Sequence, residues 1–144
     1  MRRRMASVII LLALFAMPAA MYGEDLTEKA DAFVKSVPQN MSYITLARVV
    51  AAGVEAGDPS WVILDIRPPQ HYESGHIKGS LHIPLTDLIG RMKEIPKNKK
   101  IAVVCAMDTN SAFAVAILRM YGYDAWIFEG GVPGWVKLGK PLEK

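Results

Sequence analysis

Cysteine is almost absent from this chain of 144 residues, because Cys105 is the only one. An internal disulfide is therefore excluded, and in an exported chain the thiol is either reactive or half of an intermolecular bridge. Histidine is also scarce: His71, His76 and His82 are the three in the chain, and their spacing matches no pair of metal ligands on one element. The sequence thus predicts no metal and no other cofactor.

Acidic residues are missing from the first 23 positions, whereas Arg2, Arg3 and Arg4 lie there. Removing these three arginines from the 17 basic residues leaves 14, which equals the 14 acidic residues of the chain. The excess of positive charge therefore belongs to the N-terminal segment, and the remainder is neutral. A neutral body predicts no nucleic acid or other polyanion as a partner.

An apolar run follows the basic start and extends from residue 5 to residue 22. A short basic segment before an apolar run is typical of an export signal. The run is also close to the length that spans a bilayer, and its end offers no good cleavage site. We therefore expect residues 1–23 to be either a signal peptide or a membrane anchor. The protein is predicted to be exported to the periplasm of a bacterial envelope, or held there by the uncleaved segment.

Residues 24–42 carry no recognisable chemistry. Apolar residues recur at helical spacing from Leu26 to Val37, and Pro38 then ends the pattern. The spacing predicts a helical N-terminal extension with its helix over 24–37, which packs on the domain or separates it from the membrane.

Strand patterns alternate with helix patterns through residues 43–144, with no sign of a second domain. Strands are expected at 43–44, 61–65, around 81, at 100–105 and at 125–128. Helices are expected at 46–55, capped by Thr45, at 87–93 and at 111–121, and the stretch 129–135 is expected to turn into a short terminal helix. This alternation predicts an α/β domain: a parallel sheet of about five strands with helices on both faces. Functional residues are then expected at the carboxyl ends of the strands.

Cys105 ends a predicted strand that is rich in β-branched residues, just before a short polar loop and a helix that is predicted to begin at Ser111. Free cysteine is often a small buried hydrophobe. At the end of a strand, however, a thiol faces the unpaired N–H groups of the next helix, and these groups stabilise a thiolate. This position favours a reactive thiol. Asn110 stands where a helix N-cap is expected, and Asp108 also suits a turn.

The chain resembles the rhodanese (thiosulfate sulfurtransferase-like) domain in four motifs that stand in the family's order and at its spacing. These are Asp65-Ile66-Arg67, the segment from Tyr72 through Gly75-His76-Ile77 to Ile83-Pro84, Val104-Cys105, and Gly130-Gly131 followed by Trp135. The resemblance covers residues 43–138 and extends to the layout of small exported single-domain members.

What the resemblance implies is a sulfurtransferase, or sulfane-sulfur carrier, in which Cys105 becomes a persulfide. The sulfur would come from a small donor such as polysulfide or thiosulfate and pass to a thiol, a partner protein or cyanide. Substrate would be held by Arg67 and by the backbone amides of the loop, namely Ala106, Met107, Asp108, Thr109, Asn110 and Ser111. Asp65 would pair with Arg67 in a mainly structural role, and Gly75 and His76 would hold a connecting loop.

The loop departs from the family pattern of Cys-x-x-Gly-x-Arg at two positions. Asp108 stands in place of glycine, and Asn110 stands in place of arginine. The fixed cation that would hold thiosulfate is lost, while Asp108 adds a negative charge that repels dianions. Aspartate is one of the few residues that tolerates the left-handed backbone of such a glycine. We therefore expect weak use of thiosulfate, and the alternative is a rhodanese-like binding module with little or no catalytic activity.

Overall fold

A computed structural model describes residues 20–37, 44–45 and 47–144. The helices are α1 (Ala20–Ser36), α2 (Ala47–Glu55), α3 (Pro69–Ser74), α4 (Leu88–Arg91), α5 (Asp108–Met120) and α6 (Gly131–Lys137). The strands are β1 (Ile44–Thr45), β2 (Trp61–Asp65), β3 (Leu81–His82), β4 (Lys100–Val104) and β5 (Asp124–Phe128). Two turns of 3₁₀ helix, Leu85–Asp87 and Met92–Glu94, flank α4.

The five strands form one parallel sheet in the order β1-β5-β4-β2-β3. Strand β4 lies at the centre, and four of its five residues are buried, as its run of apolar residues predicts. Asp65 pairs with Val104 in the register of β2 and β4, so the two strands end level with each other. This pairing brings the segment after β2 beside Cys105. The predicted α/β fold with a parallel sheet is confirmed.

Side chains of β4 alternate between two apolar layers, one on each face of the sheet. Ile101 and Val103 pack with residues of α5 on one face, namely Ala114, Val115 and Leu118. Ala102 and Val104 pack on the other face with residues of α2 and α6, namely Val50, Ala51, Val132 and Trp135. Helices therefore cover both faces of β4, whose four buried side chains enter one apolar layer or the other.

Trp135 belongs to the core of the second layer. Its ring lies 6.4 Å from the ring of Phe128, centroid to centroid, and its indole Nε1 donates to the Pro141 carbonyl oxygen at 3.0 Å. Trp135 is 5% exposed and thus helps to close this layer.

The N-terminal helix is longer than the spacing predicts, since α1 begins at Ala20 and ends at Ser36. It lies against α5, and the Lys29 ammonium sits 5.1 Å from the centre of the Tyr121 ring. The predicted leader, residues 1–23, falls outside the described residues except for its last four. Within the described part of the chain, no helix combines the length and the apolar character that a membrane crossing requires.

Helix starts are the least accurately predicted features. Thr45 was expected to cap the helix over 46–55, but it is paired with Phe128 in β1, and α2 begins at Ala47. The helix expected from Ser111 begins three residues earlier, at Asp108. An aspartate in the first turn is favourable there, because it lies at the positive end of the helix dipole.

Candidate active site

Cys105 follows β4 directly and stands at the carboxyl edge of the sheet, before α5. Its side chain is buried, with 2% of its surface exposed. The thiol donates a hydrogen bond to the carbonyl oxygen of Met107, two residues on. The sulfur is thus covered by the backbone of its own loop.

The backbone of Cys105 is held by the turn between β5 and α6. The Val132 amide donates to the Cys105 carbonyl oxygen at 3.0 Å. Gly131, with φ +57°, comes so close that a Cβ at this position would lie 2.3 Å from the same oxygen. Only glycine fits such an approach. The sequence motif contains this glycine, but its contact with the cysteine could not be predicted from the spacing of the residues.

Most of the predicted loop is helical. Only Ala106 and Met107 separate Cys105 from α5, and the position of the N-cap is taken by Met107, whose backbone is extended and whose side chain makes no capping bond. The prediction that Asn110 caps the helix is therefore wrong. The backbone adopts a helix as soon as Met107 has turned it away from the strand, so Asn110 falls in the first turn.

Asp108 does not use the left-handed conformation that was expected of it. No residue other than glycine has a positive φ in the described ranges. Because Asp108 is the first residue of α5, its backbone is helical, and the loop keeps its length without a glycine at this position.

Two side-chain oxygens of the first turn of α5 are buried without a hydrogen-bond partner among the described residues. They are Oδ1 of Asp108 and Oγ of Ser111, and Ser111 is fully buried. The two residues stand three apart, a spacing that places them on the same side of a helix. Buried oxygens of this kind are normally paired, so a carboxylate acceptor and a hydroxyl, which can donate or accept, lack partners among the described residues.

Asp65, the last residue of β2, and Arg67 form a buried ion pair. Arg67 Nη2 lies 2.6 Å from Asp65 Oδ2, and Nε donates to both carboxylate oxygens at 3.0 Å. Nη2 also donates to the Gly75 carbonyl oxygen at 2.9 Å. The expected pairing of the two residues is confirmed. The guanidinium thus binds internal groups that fix the loop after α3, while its contact with a substrate remains a prediction.

The histidines of this loop stack on a tyrosine. The Tyr72 ring lies between the rings of His76 and His82, with centroids 3.9 Å and 4.0 Å away. Its hydroxyl donates to the Ser80 carbonyl oxygen at 3.1 Å, and His82 Nε2 lies 2.8 Å from the Arg67 carbonyl oxygen. These contacts join the loop to the ion pair.

A cavity of about 270 Å³ opens beside the first turn of α5. It is lined by Ile66, Pro68, Pro69, Pro84, Leu85, Thr86 and Asn110. None of these side chains is charged, so the cavity offers no cation to an anionic substrate. Of the predicted site residues, Asn110 lies in this lining, next to the turn that carries Asp108 and Ser111.

The sequence profile of the rhodanese-like domain matches residues 47–138, well over half of the chain. The chain belongs to the rhodanese-like family. A sulfurtransferase of Allochromatium vinosum is 32% identical over 82 residues, which cover 56% of this rhodanese-like chain and 77% of that protein. An HTH-type transcriptional regulator of Mycobacterium tuberculosis is 29% identical over 133 residues. That match covers 91% of this chain but only 58% of the regulator.

Solved rhodanese-like structures share the fold. A rhodanese-related protein of Thermoplasma volcanium superimposes with a TM-score of 0.63 and 30% identity, covering 69% of this chain and 96% of that one. A rhodanese-like domain protein of Staphylococcus aureus superimposes with a TM-score of 0.61 and 27% identity, covering 68% of this chain and 93% of that one. A putative sulfur carrier protein of Bacillus subtilis is 35% identical over 66 residues, covering 46% of this chain and 36% of the carrier. These relatives support a role in sulfur transfer.

Proposed function

We propose that the protein is a sulfurtransferase or sulfane-sulfur carrier that holds a persulfide on Cys105. The observation that carries the proposal is the position of the only thiol, at the junction of β4 and α5 on the carboxyl edge of the sheet. Parallel α/β sheets bind their substrates at this edge. A thiol that only filled the core would have no reason to lie at this edge, where an open cavity adjoins the first turn of α5.

Two transfers make up the proposed reaction. The Cys105 thiolate attacks the sulfane sulfur of a donor, so that a new S–S bond forms while the donor's own S–S bond breaks and its electron pair leaves with the donor thiolate. An acceptor thiolate then attacks the outer sulfur of the persulfide and returns Cys105 to its thiolate. The free amides of the first turn of α5 are the donors that we assign to the negative charge on sulfur.

The donor that suits this site carries little negative charge. Asn110 offers no positive charge where the family has arginine, the cavity beside it is uncharged, and Asp108 lies two residues away. A dianion such as thiosulfate therefore meets repulsion without a compensating cation. We propose polysulfide or the persulfide of a partner protein as the donor, and a thiol as the acceptor.

Intact-mass measurement tests the proposal. The full chain is exposed separately to polysulfide and to thiosulfate, and Cys105→Ser is treated in the same way. Wild type should gain reducible sulfur, more readily from polysulfide, and Cys105→Ser should gain none. Equal sulfur on both proteins, or none on folded wild type with a free thiol, would refute the persulfide.

A binding module is the second candidate. Two features of Cys105 favour this alternative: its side chain is buried, and the Met107 carbonyl oxygen contacts its sulfur. Both hinder the reaction of Cys105 with a sulfur donor. A stable complex in envelope extracts that persists with Cys105→Ser would support a binding function. A complex that depends on the thiol would instead indicate sulfur relay.

We propose export to the periplasm, which the basic and apolar start of the chain supports. We propose a cleaved signal, with an uncleaved anchor as the alternative. Fractionation of cells followed by the mass of the mature protein distinguishes the two. A soluble periplasmic form that lacks the leader would support cleavage, and a membrane-bound form of full mass would support the anchor.

A further inference from the structure

A second cavity, of about 380 Å³, lies at the edge of the sheet opposite to Cys105. It is lined by Trp61, the first residue of β2, and by Lys99, which directly precedes β4. Trp61 pairs with Lys100 in the register of the two strands, so both strands begin at this edge. Cys105 follows the other end of β4, about 16 Å away along five residues of strand. The cavity is therefore separate from the cysteine site.

The walls of this cavity are largely apolar. Val54, Trp61, Val62 and Ile63 all line it, and Trp61 and Val54 pack from there onto the second apolar layer. The Lys100 ammonium lies 5.5 Å from the centre of the Trp61 ring and adds a positive charge beside this wall. Apolar walls with a few polar groups are typical of small-molecule sites, and the volume lies within their usual range.

Trp61 differs from the other two tryptophans of the chain in its hydrogen bonding. The indole Nε1 of Trp126 donates to Asp124 Oδ1 at 2.8 Å, and that of Trp135 donates to the Pro141 carbonyl oxygen at 3.0 Å. The Nε1 of Trp61 has no acceptor in the described part of the chain, and it is not fully buried. A residue that lines the cavity thus keeps an unused N–H donor, a group that favours a ligand with an acceptor oxygen.

Two lysines and one aspartate supply the charges of the lining. Asp58 is engaged within its own turn, because its Oδ1 accepts from the Ser60 amide at 2.8 Å. Lys78 is engaged as well, with its Nζ 2.9 Å from Glu143 Oε1. Lys99 is partly buried and forms no ion pair with any residue that the structure describes. Its ammonium is the cation left for a ligand, and it attracts an anion.

We propose that this cavity binds a small organic anion with a planar apolar body, such as an aromatic carboxylate. The body would lie among Trp61, Val62 and Ile63, where it leaves water for an apolar surface. The carboxylate would accept from the Lys99 ammonium and the Trp61 indole N–H, two donors without a partner among the described residues. The site is independent of the persulfide chemistry, since it uses no residue at the edge that carries Cys105.

Three aromatic probes of similar size and different charge test the proposal: benzoate, benzamide and benzylamine. The full chain is labelled with ¹⁵N, and its indole N–H signals are followed by NMR at low ionic strength. The signal that disappears in Trp61→Phe belongs to Trp61. Benzoate should shift this signal until it saturates, while the signals of Trp126 and Trp135 stay in place. Benzamide should bind roughly fivefold more weakly, because it lacks the charge, and benzylamine should give no saturable shift.

Lys99→Gln should raise the dissociation constant of benzoate by roughly fivefold, since it removes the cation that we assign to the carboxylate. Lys93→Gln is the matched control, because it removes the same charge from an exposed lysine outside the lining. Asp58→Asn removes the carboxylate of the lining and should tighten the binding of benzoate. Added salt should weaken the binding of benzoate to wild type but not that of benzamide, a measurement that needs no variant.

A Trp61 signal that stays in place with benzoate would overturn the proposal of a site. Equal affinity for benzoate and benzamide would overturn the assignment of an anion. A weakening in Lys93→Gln as large as that in Lys99→Gln would attribute the effect to the net charge of the protein and would also contradict the proposal.

Discussion

Gly131 touches the backbone of Cys105, although 26 positions separate them in the chain: a Cβ added to this glycine would lie 2.3 Å from the Cys105 carbonyl oxygen. The next residue, Val132, donates its amide to the same oxygen at 3.0 Å. The turn after β5 thereby fixes the end of β4. The direction in which the chain leaves Cys105 depends on this contact.

Gly131→Ala should therefore destabilise the fold and displace Cys105. The added methyl group meets a backbone atom that cannot move aside, and φ at this position is +57°. We expect a loss of at least about 2 kcal/mol in the free energy of unfolding, measured with urea. Gly139→Ala is the control, because its φ is +74° but no atom lies within 4 Å of the new Cβ. It should lose only about 1 kcal/mol, and equal losses in the two variants would contradict the contact.

Arg67→Met should destabilise the protein by about 3–5 kcal/mol, because it leaves the buried Asp65 carboxylate without its partner. The pair is almost fully enclosed, with 8% of Arg67 and none of Asp65 exposed. Adding Asp65→Asn to Arg67→Met should recover part of the loss, since no buried charge then remains. Urea unfolding measures both effects.

Arg91→Met is the control for that experiment, because its ion pair with Glu94 is largely in solvent. Water screens exposed pairs, so the change should be small. The loss of unfolding free energy in the double variant should be smaller than the sum of the losses in Asp65→Asn and Arg67→Met. Losses that simply add would show that the ion pair is not the source of the effect.

Asp58 should contribute to loss of stability in acid. Hydrogen bonds from Ser60, first from its side chain and then from its backbone amide, hold the pKa of Asp58 below its ordinary value. The ionised carboxylate therefore stabilises the folded state above the ordinary pKa of about 3.9, and this stabilisation is lost as the pH falls through the lower pKa of the folded state. Asp58→Asn should lessen the fall in unfolding free energy below about pH 4, measured by urea unfolding at several pH values.

Ser60→Ala provides the comparison for the acid experiment. It removes the hydroxyl but keeps the backbone amide that lies 2.8 Å from Asp58 Oδ1. The decrease in unfolding free energy in acid should then be smaller than that of wild type and larger than that of Asp58→Asn. If Asp58→Asn retained the full wild-type dependence, the bonds from Ser60 would not be its source.

Asn110→Arg should restore the use of thiosulfate. The new guanidinium would stand in the lining of the cavity, where it can pair with a dianion. We expect the rate of sulfur loading from thiosulfate to rise by about tenfold, with little change for polysulfide. Thr109→Arg adds the same charge at an exposed neighbour outside the lining. An equal rise in both variants would attribute the effect to net charge and not to the cavity.

The positions of β2, β4 and β5 and the α/β fold could be predicted from the sequence, because short runs rich in β-branched and aromatic residues that alternate with helical patterns are typical of buried parallel strands. The same local pattern placed Cys105 at the end of the central strand. The four motifs then identified the family, which the profile match confirms. The roles of the site residues stay predictions.

Features of the loop could not be predicted, since they depend on residues far away in the chain. Spacing alone put the start of α5 at Ser111 and made Asn110 its cap, whereas the helix begins at Asp108. The contact of Gly131 and Val132 with Cys105 sets how the backbone leaves β4, and no local pattern contains it.

The sequence by itself determined the main strands, their alternation with helices and the place of the only thiol at the end of a strand, because these follow from apolar spacing and from the presence of a single cysteine. Only the tertiary structure decided that the thiol is buried against the Met107 carbonyl, and that Asp108 and Ser111 bury oxygens with no hydrogen-bond partner among the described residues. Burial and hydrogen-bond pairing are properties of atoms that meet across the fold, so a linear pattern of residues does not specify them.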